Sequence, residues 1–146
     1  MKQETIERNP LLKMSVEFAL KVIEYCDILY DQKKFIIANQ LLKSGTSIGA
    51  NTLEAQNPES RADFIHKMKI AGKEADETLY WLILCDRAKH YPKHTGMFGQ
   101  VESLNKIIGS IISSAKRNQK NEEKASNLFC LFALLPIFTF EILTNV

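Results

Sequence analysis

The sequence predicts an all-α protein, an antiparallel up-down-up-down four-helix bundle with a short apolar C-terminal extension. Three observations carry that expectation. Apolar residues recur every three or four positions through four long segments. Only six glycines and four prolines occur in 146 residues, few for a sheet protein built on turns. Helix-starting and helix-stopping residues fall between the periodic segments rather than inside them.

The first predicted helix opens at Asn9-Pro10, with Asn as the cap and Pro at the first helical position. Its apolar face runs through Leu11, Met14/Ser15, Phe18, Val22, Tyr25/Cys26 and Leu29, and Asp31-Gln32 reads as its end. The second spans about Lys33 to Ala55 through Phe35, Ala38, Leu41/Leu42, Ile48 and Leu53. Asn57-Pro58 stops it, because the residue before proline is pushed out of the helical region. Ser60 and Asp63 have capping-box spacing, with Asp in place of the usual Glu. The third helix then continues to about Lys89 through Phe64, Met68, Ala71, Ala75, Leu79 and Leu82. Thr95 is positioned to cap the fourth, whose apolar face is Phe98, Val101, Leu104, Ile108, Ile111 and Ala115. At 1.5 Å per residue such helices are roughly 30–40 Å long, and short connections make antiparallel neighbours.

These elements place residues 1–120 in the bundle and residues 121–146 in a tail. Asn121-Glu-Glu-Lys124 reads as a polar link, followed by an apolar run of 11 residues, Leu128 to Phe138. That run is short of the ~20 residues a spanning helix needs, and Pro136 and Glu141 interrupt any longer span. A fifth short helix lying across a bundle groove, or a poorly ordered extension, fits it better than a membrane or partner anchor. The opening Met-Lys-Gln-Glu-Thr-Ile-Glu-Arg has no apolar core and does not read as a secretory signal. Cys26, Cys85 and Cys130 are odd in number and widely spaced. This favours reduced thiols in a cytoplasmic protein over a disulfide framework.

Gly45 and Gly49 lie four residues apart in the second helix. Each costs about 1 kcal/mol relative to Ala in a helix interior, so each implies a close neighbour. With Ser44, Ser47 and Ala50 they form a narrow surface suited to tight helix crossing. Membrane dimerisation through the same spacing is at odds with Lys43, Asn51 and Glu54. Ser47, Asn51 and Glu54 share one side of this helix. Glu74, Glu77, Thr78 and Trp81 share one side of the next. If those sides meet they form a polar seam that sets register. The alternative, a carboxylate metal site, wants four carboxylates and two Glu-x-x-His motifs. Asp63-x-x-His66 is the nearest match and lies about three turns from Glu74. His90 and His94 are separated by Pro92, which prevents one helix from presenting both. No nucleophile–base motif or phosphate loop is present, so no enzyme and no cofactor is expected.

The charge is +2 overall but uneven. Residues 1–31 hold four basic and six acidic side chains; residues 87–120 hold seven basic and one acidic. Lys106, Ser110, Ser113, Arg117 and Lys120 form a polar stripe opposite the apolar face of the fourth helix, with Lys116 beside it. Lys69 and Lys73 form a second stripe on the third helix, with Arg61 and Lys67 nearby. Such arrays hold phosphate backbones; the plainer reading of each is a solvated helix face. Tyr80 and Trp81 have the rings to stack on bases, but their place in an apolar pattern suits a core.

Several segments together resemble the 23S rRNA intervening sequence proteins, a four-helix-bundle family. They are Gln40-Leu-Leu-Lys-Ser44, Thr46-Ser-Ile-Gly-Ala-Asn51, Glu54-Ala55, Asp63-Phe-Ile65, Ile70-Ala71, Lys73-Glu-Ala75, Glu77-Thr78 and Tyr80-Trp-Leu82. The resemblance covers about residues 10–118 and not the tail. It implies a small, cytoplasmic, bacterial, non-enzymatic bundle that assembles as a homopentameric ring. A related branch, the accessory proteins of diversity-generating retroelements, binds reverse transcriptase and nucleic acid. The resemblance therefore implies two roles: RNA or DNA binding through the basic faces, or a scaffold for a protein such as a polymerase.

Overall fold

The computed structural model describes the backbone of residues 2–143 and the side chains of residues 4–125. The described residues form five helices: α1 (Lys2–Arg8), α2 (Pro10–Asp31), α3 (Phe35–Glu54), α4 (Arg61–Arg87) and α5 (Met97–Leu143). No strand occurs among the described residues. The chain divides into two compact units, Met1–Ile112 and Ser113–Val146.

Local chemistry sets the helix ends in the first unit. Asn9 has an extended backbone, and its Oδ1 accepts from the N–H groups of Leu11 (3.0 Å) and Leu12 (3.3 Å). These are donors that the first helical turn leaves without intrahelical partners. The Asn9 Nδ2 donates to Gln56 Oε1 at 3.0 Å, tying the start of α2 to the end of α3. Asn9→Ala is expected to cost about 1–2 kcal/mol, and Asn9→Asp, which keeps the cap, less than half of that. Urea unfolding measures both; equal losses would mean that the Gln56 link, not the cap, is what matters.

Ser60 caps α4 by accepting from the Asp63 N–H at 3.1 Å. Asp63 Oδ2 in turn accepts from the Glu59 N–H, also at 3.1 Å, one residue before the N–H of the cap itself that a capping box uses. Between α2 and α3, Lys33 takes a left-handed φ of 58°. This lets the N–H groups of Lys33 and Lys34 return to the carbonyls of Tyr30 and Leu29. Gly96, at φ 73°, makes the corresponding turn before α5.

The core of this unit is a continuous apolar cluster. Leu11, Phe18, Val22, Tyr25, Cys26 and Leu29 come from α2, Ala38, Leu41 and Ile48 from α3, and Met68, Ala71, Ala75, Leu82 and Cys85 from α4. Met97, Val101, Leu104 and Ile108 come from α5. Neighbouring helices meet in opposite numerical order. Val22 faces Gly45 and Ser15 faces Gly49. Ser44 meets Thr78, Glu54 meets Lys67, Gly72 meets Ile108 and Asp76 meets Asn105.

Two expectations need correction. The N-terminal residues form α1, whose Ile6 helps to line a groove with Leu12 and Leu53. The expected polar link at Asn121–Lys124 is no break: α5 runs through it to Leu143. Asn, Glu and Lys contain no helix breaker, and Glu and Lys favour helix, so a change of composition is not here a change of conformation. The side chains of Leu128–Phe138 and Cys130 lie outside the described residues. Among the described residues, no helix is long and apolar enough to cross a membrane.

Candidate nucleic-acid interface

The outer face of α4 gathers the first set of charges. His66, Lys69, Lys73, Asp76, Tyr80 and Arg87 are all exposed and step along the helix by three, four or seven residues. They therefore share one side, opposite the buried Met68, Ala71, Ala75, Thr78 and Leu82. Asp76 accepts from Asn105 Nδ2 at 2.6 Å and is engaged with α5. Lys69 and Lys73 reach solvent. Tyr80 is 54% exposed, its ring edge-on to Trp81 at a centroid distance of 5.1 Å. The core placement expected for this pair is wrong for Tyr80. It sits one position out of phase with Leu79 and Leu82, and that phase was the available signal. Trp81 is half-buried, and its Nε1 donates to Glu77 Oε1 at 3.1 Å.

The remaining basic residues fall in different settings. Arg61 begins α4 and is exposed. Lys67 is half-buried and pairs with Glu54 Oε2 at 3.1 Å; this hydrogen bond raises the ammonium pKa above its usual value. Lys67 is thereby committed to an α3–α4 contact. Lys106 is exposed at the rim of a 340 Å³ surface cavity that Ala75, Leu79, Val101, Glu102 and Asn105 complete. In the second unit, Lys116, Arg117 and Lys120 are each exposed on α5.

The small and polar residues between α3 and α4 make a narrower junction than a full seam. Ser44 and Gly45 are buried, and Gly49 is half-buried. The Thr78 hydroxyl donates to Ser44 Oγ at 3.0 Å and also lies 2.7 Å from the Glu74 carbonyl. Asn51 donates instead to the Ser47 carbonyl on its own helix at 2.8 Å. Glu54 is exposed and Ser47 half-buried. The Glu74 carboxyl is raised above its usual pKa by partial burial and secondarily by Glu77, with Lys43 opposing. Among the described residues, no three His, Cys, Asp or Glu side chains gather at one point.

His94, Cys26 and Cys85 serve packing in the first unit. His94 Nε2 lies 3.1 Å from the Leu82 carbonyl, and its ring meets Tyr25 and Phe98 edge-on. The Tyr25 hydroxyl donates to the Pro92 carbonyl at 2.6 Å, pinning the α4–α5 connection. Cys26 and Cys85 are free and buried. Burial pushes the Cys26 thiol up to about 12 and raises Cys85 as well, so neither is a ready nucleophile at neutral pH.

A sequence profile of the 23S rRNA-intervening sequence proteins matches residues 7–114. The chain belongs to that family. Among solved structures, this intervening sequence protein is similar to one from Bacteroides thetaiotaomicron, described as a protein of unknown function from the S23 ribosomal protein family. The two are 42% identical with a TM-score of 0.66, covering 70% of this chain and 97% of the other. No match is found among curated proteins. The family match includes all of α4 and Lys106, whereas Lys116, Arg117 and Lys120 follow it.

Proposed function

We propose that this intervening sequence protein is a non-enzymatic, cytoplasmic, homo-oligomeric bundle that binds RNA or DNA electrostatically. The fold we infer is the antiparallel up-down-up-down arrangement, with α2 to α5 as its four helices. The observation that carries the reading is the outer face of α4. Lys69 and Lys73 stand in solvent beside an exposed tyrosine, without an ion pair among the described residues. Cations supply the sequence-independent part of nucleic-acid affinity by releasing counterions, and an exposed ring offers a stacking platform. Lys106 on α5, and separately Lys116, Arg117 and Lys120, add to the positive field. Repeating such faces around a closed ring, with a pentamer implied by the family resemblance, would multiply weak contacts.

The test is binding of fluorescent structured RNA and single-stranded DNA across a salt series. Affinity is expected to fall with salt. The double variant Lys69→Glu/Lys73→Glu is expected to flatten the log–log slope by about 1 for each phosphate no longer neutralised. Tyr80→Ala is expected to weaken single-strand binding by about 1–3 kcal/mol while leaving the slope in place. Binding that ignores salt, or survives the double charge reversal, would remove the proposal's basis. Recovery of one specific protein partner after nuclease treatment, with no nucleic-acid binding, would favour the scaffold role instead.

A further inference from the structure

The cavity between α4 and α5 combines apolar walls with charges of both signs. Ala75 and Leu79 wall it from α4 and the buried Val101 from α5, around 340 Å³. That is the scale of a small-molecule pocket. Its α5 edge carries Glu102, Asn105 and Lys106. Glu102 and Lys106 are both exposed and stand four residues apart, the spacing at which Glu and Lys pair along a helix. Yet no ion pair joins them, and neither has another partner among the described residues.

The other acids nearby are differently placed. On α4, Asp76 accepts from Asn105 at 2.6 Å, Glu77 accepts from Trp81, and Asp86 pairs with Lys93 at 3.0 Å. Glu74 lies on the α3 side of α4, beside Lys43. Glu102 is the one acid in residues 87–120. It repels a phosphate backbone, so charge alone gives it no place beside Lys73 and Lys106. The edge of a base does. An unpaired guanine presents the acceptor O6 beside two adjacent donors, N1–H and N2–H. A carboxylate has two acceptor oxygens and no donor, and an ammonium has donors and no acceptor. One helical turn apart, the pair complements that edge. Adenine, cytosine and uracil each present a single donor group there, next to acceptors that a carboxylate repels.

We infer that the α4–α5 cavity holds an unpaired guanine base of a nucleic-acid strand, with Glu102 accepting from N1–H and N2–H and Lys106 donating to O6. The inference rests on the nucleic-acid reading above and deepens it. Lys69 and Lys73 hold phosphates, which position the strand, and the cavity reads one base. Ala75, Leu79 and Val101 take the faces of the ring. A guanine already paired in a duplex has this edge occupied and is excluded.

Fluorescence anisotropy on the full chain at fixed salt tests this. The probes are short all-uridine strands and the same strands with one central guanine, inosine, adenine or cytosine, each made as RNA and as DNA with thymine for uracil. The guanine strand is expected to bind about tenfold or more tightly than the adenine, cytosine and unsubstituted strands, in each strand type that binds. Inosine, which lacks the N2 amino group, is expected to fall between, and annealing a complementary strand to remove the preference. Glu102→Gln changes an exposed helix position, and circular dichroism confirms folding. It is expected to abolish the preference for guanine while leaving or raising affinity for the all-uridine strand, because it removes a negative charge. An equal gain on every strand is the result of a purely electrostatic Glu102 and overturns the proposal, as does a guanine preference that survives the substitution. Salt-dependent binding by the wild type with no base preference refutes the guanine pocket and leaves the nucleic-acid reading intact. Absence of binding to every strand refutes both.

Discussion

Gly45→Ala is expected to destabilise the protein by about 1–3 kcal/mol, and Gly49→Ala, four residues later on the same helix, to leave it unchanged or more stable. The two glycines share a sequence spacing and differ in what a methyl group would meet. A Cβ at Gly45 would lie 2.8 Å from Val22 Cγ2 and 2.9 Å from Val22 Cγ1. Valine in a helix has essentially one side-chain rotamer, and Val22 is fully buried, so neither methyl can turn away. The helix gain of about 1 kcal/mol from replacing Gly by Ala offsets only part of that overlap. At Gly49 the nearest atom is Ser15 Cβ at 3.4 Å, close to an ordinary contact, and the helix gain stands nearly alone. Urea denaturation midpoints at constant slope separate the two cases. Val22→Ala/Gly45→Ala should recover much of the Gly45→Ala loss, as two residues in direct contact couple. A Gly45→Ala protein as stable as the wild type would show that α2 and α3 can part at no cost, and the close-crossing argument would fall.

The largest single loss is expected at Phe18. Phe18→Ala removes a ring that is 1% exposed at the centre of the α2 core face. It should cost about 3–5 kcal/mol through lost burial and the cavity left behind. Phe35→Ala provides the contrast, because that ring is exposed and should change stability by no more than about 0.5 kcal/mol. Thermal and urea unfolding of the two variants at equal concentration makes the comparison. Equal losses would mean that Phe35 is part of the folded core.

The contrast between these phenylalanines indicates how far the sequence could be read. Periodicity assigned both to an apolar face, and only Phe18 lies on the buried one. Phe35 begins a helix at the edge of the hairpin, where a correct phase no longer guarantees a neighbour. The starts of α2 and α4 were legible because Asn9 and Ser60 act on backbone groups two or three residues away, well within a sequence window. α1 was not, since a single apolar residue, Ile6, carries no readable period. The continuity of α5 was hidden by a change of composition without a breaker. In the candidate site, the exposure of Lys69 and Lys73 followed from their place opposite the apolar stripe of α4. The engagement of Lys67 with Glu54 depends on how two helices align, which spacing along one helix does not contain. The polar junction divided for a similar reason. Ser44 and Thr78 meet across helices, while Asn51 and Trp81 find partners one turn away on their own.

The order in which α5 contributes to the core also bears on how the protein is made. Among its described side chains the buried ones, Met97, Val101, Leu104 and Ile108, lie in the first third of that helix. A chain growing toward its C-terminus holds every member of the apolar cluster of the first unit once Ile108 has been added. The α2–α3 and α3–α4 contacts join consecutive helices and need only short loop closures. Folding during synthesis can therefore proceed pair by pair. The apolar stretch Leu128 to Phe138 then emerges after every residue of that core, which limits the time during which two sticky segments of one nascent chain compete for each other.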